Sequence, residues 1–209
     1  MQRHLPAFKC ISFYIKVSFV FIFVSLYFLG ASEKRDSDVK TLSPSKNSIF
    51  TLHTVQGVNL KKLNRKIGLR KIPNMGLIKK KNFPATPQGK IEWKLTVILA
   101  RVQNLLNMHP KRMQNINIKI YPNLKHIKKY LNRYTTHKAA SFYNKKTNTV
   151  HISAKKCDEY ILAHELAHVV ISHYFVVQAP ISAQEVLAIY CDSHLKDQSI
   201  FLEQQIQRK

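Results

Sequence analysis

The chain has 209 residues, of which 45% are hydrophobic, and its 34 lysines and arginines against 11 acids give a formal net charge of +23. This length allows one domain with a buried core and an N-terminal extension, and the hydrophobic fraction excludes a chain that is disordered throughout. Three cysteines exclude a disulfide-dense mini-protein, and five glycines exclude a collagen-like chain or a glycine-rich phosphate-loop enzyme.

The N-terminus carries a basic segment followed by an uncharged apolar run, residues 17–29. This order is typical of a signal peptide, and Ala31 offers a small residue at a cleavage point, so residues 1–31 form the predicted leader. Adding residues 11–15 approaches the ~20 residues that span a bilayer, and an uncleaved anchor is the alternative. Both interpretations predict an exported protein, periplasmic or extracellular, free or tethered to the inner membrane.

Residues 32–88 are polar, basic and interrupted by turn signals, which predicts an irregular linker with one short element near residues 58–69. Positive charge dominates this segment and the residues that follow it. Residues 39–156 contain 26 lysines and arginines and a single acid, Glu92. This positive charge suits an anionic membrane surface or another anionic polymer, or it serves solubility alone. We expect no specific nucleic-acid partner, since the leader would remove the chain from cytosolic DNA.

From residue 89 onward the apolar periodicity becomes regular. The predicted elements are a helix at 90–108, a half-buried strand at 116–120, a helix at 123–134, a hairpin with strands at 140–143 and 149–152, a helix at 157–175 and a last helix from about Ser182. This order predicts a small α+β domain over residues 89–209. Cys157 and Cys191 lie in it and either form a disulfide, which an exported compartment permits, or remain buried thiols.

The sequence HELAH, which begins at His164, matches the H-E-x-x-H pattern. Residues four apart on an α-helix lie one turn apart on nearly the same face, so His164 and His168 can bind one tetrahedral Zn²⁺. Glu165 lies about 100° round the helix, where it can take a proton from the metal-bound water without being a ligand. Apolar residues surround the motif, and buried polar side chains need partners. The motif therefore predicts a zinc site with Glu165 as catalytic base.

A third protein ligand is required, and the downstream candidates are His173, Glu185, Cys191 and Asp192. Glu185 follows the break at Pro180, and an antiparallel return of the next helix would bring it to the metal. The alternative is that Ser182 and Glu185 form a capping box at the start of that helix. We favour Glu185 as ligand, because the apolar residues after it indicate a buried helix start.

The other candidates are weaker ligands. His173 would lie about 140° from His168 if the helix continues. Asp192 is a candidate for contact with a zinc ligand rather than with zinc itself. A donor for the developing oxyanion is also needed, and the candidates are Tyr190, Tyr143, His173 and His194.

The stretch HELAHVVISHYF, followed by QEVLAIY, resembles the gluzincin metallopeptidases, the thermolysin-like group of the MA-type clan. The resemblance implies a zincin-like fold in which the zinc helix packs on a short sheet and a C-terminal helix follows. It implies His164, His168 and Glu185 as zinc ligands, Glu165 as catalytic base, and a peptide or protein substrate. It extends to TNTVHISA, which would be the edge strand that pairs with substrate. One departure is Ile189, which stands where thermolysin-like enzymes place an aspartate that orients a zinc histidine.

Two functions follow from these patterns. The first is an exported zinc metallopeptidase, a hydrolase of peptide bonds. The second is a basic module that binds a membrane or an anionic polymer and holds a structural or vestigial metal. A third interpretation, a DNA-associated protease of the SprT-like kind, conflicts with the leader. The intact motif favours the enzyme, because a purely structural site has no need of Glu165 beside the metal.

Overall fold

The structure, a computed structural model, describes residues 38–46, 48–70, 72, 84–113, 115–130 and 141–197. It is an α+β domain, as predicted. Its strands are β1 (Val39–Leu42), β2 (Phe50–Val55), β3 (Ile116–Tyr121), β4 (Ser141–Asn144) and β5 (Thr149–Ser153). Its helices are α1 (Leu60–Lys66), α2 (Pro87–Leu106), α3 (Leu124–Tyr130), α4 (Glu159–Tyr174) and α5 (Ile181–Ser193).

The strands form one mixed sheet in the order β1-β2-β3-β5-β4. Strands β2, β3 and β5 are parallel, with Leu52 opposite Ile118 and Ile118 opposite Val150. The outer strands β1 and β4 are antiparallel to their neighbours. Because β4 and β5 are joined by a single 3₁₀ turn, Lys145–Thr147, the predicted hairpin is confirmed.

The two faces of the sheet are covered differently. Alternate strand residues such as Leu52, Ile118 and Val150 are fully buried in the main core, which α2 and α4 complete. A smaller cluster on the other face joins Val55, Tyr121, Ile127 of α3 and Phe142. Strand β3 was predicted to be half-buried and is instead buried at five of its six positions, because helices cover both of its faces.

The predicted linker over residues 32–88 is wrong in its described part. Strands β1 and β2 lie within it, and β2 lies between β1 and β3 and is paired with both. The short element expected near residues 58–69 is confirmed as α1. Strand β2 was not predicted because its partner β3 is distant in the sequence. Helices α1 and α2 lie between the two strands, so they form no hairpin with a recognisable turn.

The edge-strand assignment of TNTVHISA is also wrong. Strand β5 lies between β3 and β4 and is paired on both sides. Among the described strands, β4 is the outermost on that side.

The predicted leader, residues 1–31, lies outside the described residues, as does the end of the helix expected at 123–134. Within the described part of the chain, no helix has both the length and the apolar character needed to cross a bilayer.

Candidate metal centre

Helix α4 holds the two histidines of the motif at one face. Its first turn is fixed by Asp158, whose carboxylate accepts hydrogen bonds from the amides of Tyr160 and Ile161. Most of the helix is buried in the main core, and the His164 and His168 side chains keep 13% and 14% exposure. The helix is therefore anchored by packing, while its two imidazoles reach a partly open surface.

Helix α5 returns along α4 and brings Glu185 to both histidines. The Glu185 Oε2 atom lies 3.5 Å from His164 Nε2, and its Oε1 atom lies 3.5 Å from His168 Nε2. The donor atoms of these three residues all lie within 4.8 Å of one another. Among the described residues, no other trio of His, Cys, Asp or Glu forms such a group.

This donor set fits a zinc ion. In a tetrahedral site with bonds of about 2.0–2.1 Å, neighbouring donor atoms lie roughly 3.3–3.4 Å apart. This is close to the 3.5 Å between Glu185 and each imidazole. Two imidazole nitrogens and one carboxylate are ligands that zinc and related divalent metals accept. Three protein ligands leave a fourth position for water or substrate, which is the pattern of catalytic rather than structural zinc sites.

The competing role for Glu185, a capping box with Ser182, is not what the structure shows. Helix α5 begins at Ile181 with Pro180 at the N-cap position, and no side chain forms a capping hydrogen bond there. Glu185 is therefore available to the histidines.

Asp192, and not the residue at position 189, contacts His164. It follows Glu185 by seven residues, which returns it to nearly the same face of α5 two turns later. Its Oδ2 atom lies 3.0 Å from His164 Nδ1. Such a contact fixes the orientation of the ring and leaves Nε2 directed at the metal position. The structure shows the predicted contact between Asp192 and His164, and the role of His164 as a metal ligand stays a prediction.

The charges of this group depend on one another. Burial lowers the pKa of His164, but hydrogen bonds to Asp192 and Glu185 raise it more strongly, to about 10. Burial lowers the pKa of His168 to about 4. Burial raises the pKa of Glu185, yet interactions with both histidines outweigh it and the net pKa is lowered. Two carboxylates thus face His164, and a divalent cation bound here would displace its proton.

Glu165 is held by strand β4. Its side chain is 95% buried, and the Ser141 hydroxyl donates a 2.7 Å hydrogen bond to its Oε1 atom. The backbone amide of Tyr143 donates to the same carboxylate. Burial raises the pKa of Glu165 to about 7, although the charge of His164 and the bond from Ser141 lower it. A carboxyl group with a pKa near neutrality is suited to accept a proton and return it.

Sequence reasoning missed Ser141. The residue is the first of a short strand with no motif around it, and only the packing of β4 against α4 brings its hydroxyl to Glu165. No signal in the sequence could have indicated this contact.

The remaining candidates lie outside the group of three. The ring of His173 contacts the backbone carbonyl of Val169 within α4. Tyr190 packs against the ring of His194, with ring centroids 4.4 Å apart. His173 is not part of the group of three, and the ring of Tyr190 contacts that of His194.

Two further candidates are Tyr143, proposed as an oxyanion donor, and Cys191, proposed as a metal ligand. The Tyr143 hydroxyl bonds Ser172 and Asn148, each at 3.0 Å. Cys191 is a buried free thiol like Cys157, and burial raises the pKa of Cys191 to about 12. Of the two interpretations of the cysteines, the structure shows the buried thiols.

Comparisons with family models, with curated proteins and with solved structures found no match to this chain.

Proposed function

We propose that this chain is a zinc-dependent peptidase that hydrolyses peptide bonds, with Glu165 as general base. The observation that carries the proposal is the convergence of His164, His168 and Glu185 within 4.8 Å beside a buried glutamate that β4 holds by hydrogen bonds. The resemblance to gluzincins assigns the same residues to the same roles.

The proposed chemistry divides among the residues of α4, α5 and β4. His164, His168 and Glu185 would hold the zinc ion, and Asp192 would orient His164. Zinc, when bound, lowers the pKa of water toward ~7 and polarises the substrate carbonyl. Glu165 accepts a proton from the attacking water and passes it to the leaving amine nitrogen as the C–N bond breaks. Ser141 keeps the Glu165 carboxylate in place during this transfer.

The sheet edge offered to an extended peptide is that of β4. Strand β4 pairs with β5 on one side, and in the described part of the chain it is the last strand of the sheet. Its residues Ser141 and Tyr143 already contact Glu165. A substrate strand added along β4 would therefore lie next to the general base, with backbone hydrogen bonds supplying affinity.

The test of this proposal is turnover of a peptide library by the full chain loaded with zinc. We expect cleavage that a chelator abolishes and that added zinc restores. If the zinc-loaded chain cleaves no peptide, the peptidase proposal is overturned. In that case the second function is favoured, a module whose exposed lysines, such as those of α1 and α3, bind an anionic surface in a salt-dependent manner.

We also propose that the chain is exported, free or tethered, because basic residues precede the apolar run at residues 17–29. A fusion of residues 1–40 to a reporter that is active only outside the cytoplasm should be active. A reporter retained in the cytosol would contradict export and would reopen the SprT-like interpretation.

A further inference from the structure

The connection between α4 and α5 presents apolar side chains to solvent. Val176 and Val177, at its tip, have relative exposures of 101% and 84%. Tyr174 before them and Ile181 after them are 47% and 42% exposed. We call residues 174–181 the apolar loop. Single exposed apolar residues are ordinary, but four within eight consecutive positions indicate a surface that is covered by a partner.

The apolar loop also lacks charge in a strongly charged protein. Charged residues make up 22% of the chain, yet residues 174–184 include none. Residues 157–195 contain no lysine or arginine, so the loop shares that absence with both flanking helices, but it also carries none of their five acids. The uncharged stretch is therefore consistent with transfer of the loop into a medium where a charge would be costly.

Lysines lie beside this loop. The Tyr143 hydroxyl bonds Ser172 in the last turn of α4, and it also bonds Asn148 at the β4–β5 turn. That turn carries the exposed Lys145 and Lys146. The turn residues 145–148 and the stretch 172–184 include no acid. An apolar tip therefore stands beside a basic rim.

We propose that the apolar loop inserts into the interface of an anionic lipid bilayer. Val176 and Val177 would enter the boundary of the acyl chains, and the adjacent aromatic pair Tyr174 and Phe175, with ring centroids 5.2 Å apart, would lie at headgroup level. Lys145 and Lys146 would meet the lipid phosphates, since basic residues near an anionic leaflet are attracted to it.

A second copy of the chain is a less suitable partner for this loop. Pairing two copies through it would bring their lysine turns together, and each chain carries a net charge of +23. Repulsion between like charges opposes that contact, whereas an anionic bilayer neutralises them.

Docking through this loop would place the candidate metal centre close to the bilayer. His168 precedes Tyr174 by six residues, which is about 9 Å along a helix. This consequence rests on the proposed function: the substrates would then be protein segments near the membrane surface. The docking itself requires neither zinc nor hydrolysis.

The chain contains one tryptophan, Trp93, which permits a local test. In full-length protein carrying Trp93→Phe, the substitution Val177→Trp places a reporter in the apolar loop. A control carries Lys62→Trp instead, at an exposed site on α1, which follows the opposite end of the parallel strands. Each protein is mixed with phosphatidylglycerol-containing vesicles whose acyl chains carry bromine, which quenches tryptophan emission on contact.

We expect the reporter at position 177 to shift to shorter wavelength and lose emission, and the reporter at position 62 to do neither. Neutral vesicles or high salt should weaken the effect. Unchanged emission at position 177 while vesicles capture the chain would overturn the proposal, because the leader alone would then be the membrane contact. A blue shift that grows with protein concentration without vesicles would also overturn it in favour of a second copy. Because the readout is independent of zinc and of turnover, it separates failure of docking from failure of the peptidase proposal.

Discussion

The Glu165→Gln variant is expected to lose roughly 10²–10⁴-fold in peptide hydrolysis while folding and binding zinc like the natural chain. Glutamine keeps the size of the side chain and can still accept the hydrogen bond from Ser141 at its carbonyl oxygen. It cannot accept a proton from water at neutral pH, so the loss should appear in kcat. Zinc content should remain unchanged, because Glu165 lies outside the group of three donor residues.

The matched control is Glu159→Gln, a second buried glutamate of the same helix. Glu159 accepts hydrogen bonds from Lys196 and from the amide of Gly68, and it takes no part in the metal-binding group. We expect this variant to unfold more easily and yet to hydrolyse peptides at the natural rate per zinc-loaded molecule. Rates for Glu165→Gln equal to the natural chain and above background would rule out Glu165 as the general base.

Removing a donor residue should release the metal. We expect the natural chain to bind one zinc ion and His168→Ala or Glu185→Ala to fail to bind zinc at stoichiometric concentrations, because two donors hold the ion far less tightly than three. Asp192→Asn should retain zinc with an affinity lowered by about 10–100-fold, since it loses a charged contact to His164 but no ligand. Competition with a chromophoric chelator measures these differences.

A thermal measurement distinguishes loss of zinc from loss of fold. A ligand at about 100 times its dissociation constant stabilises the native state by about 2.7 kcal/mol, so zinc should raise the Tm of the natural chain and leave that of His168→Ala unchanged. The control is His173→Ala, on the same helix but outside the group, which should bind zinc normally. Undiminished zinc in His168→Ala would refute the site, and full zinc with normal activity in Glu185→Ala would exclude that residue as a ligand.

Much of the fold could be predicted because its signals are local. The apolar residues of α2 recur at helical spacing, and Ile116, Ile118 and Ile120 alternate with polar residues as in a strand. The turn between β4 and β5 is marked by its own residues. Each of these signals lies within one element or one turn. Strand β2 could not be predicted in the same way, because its place in the sheet comes from a parallel pairing with β3, and parallel partners are joined by long crossovers.

The sequence by itself determined that His164 and His168 share one helical face with Glu165 beside them, since a spacing of four residues on an α-helix dictates it. Only the tertiary structure decided the rest of the site. It brought Glu185 to His164 and His168 and not into a helix cap, placed Asp192 on His164, and brought Ser141 of β4 to Glu165. The physical reason is that these contacts join different elements. Their geometry depends on how α5 and β4 pack against α4, and side-chain spacing within one element carries no information about that packing.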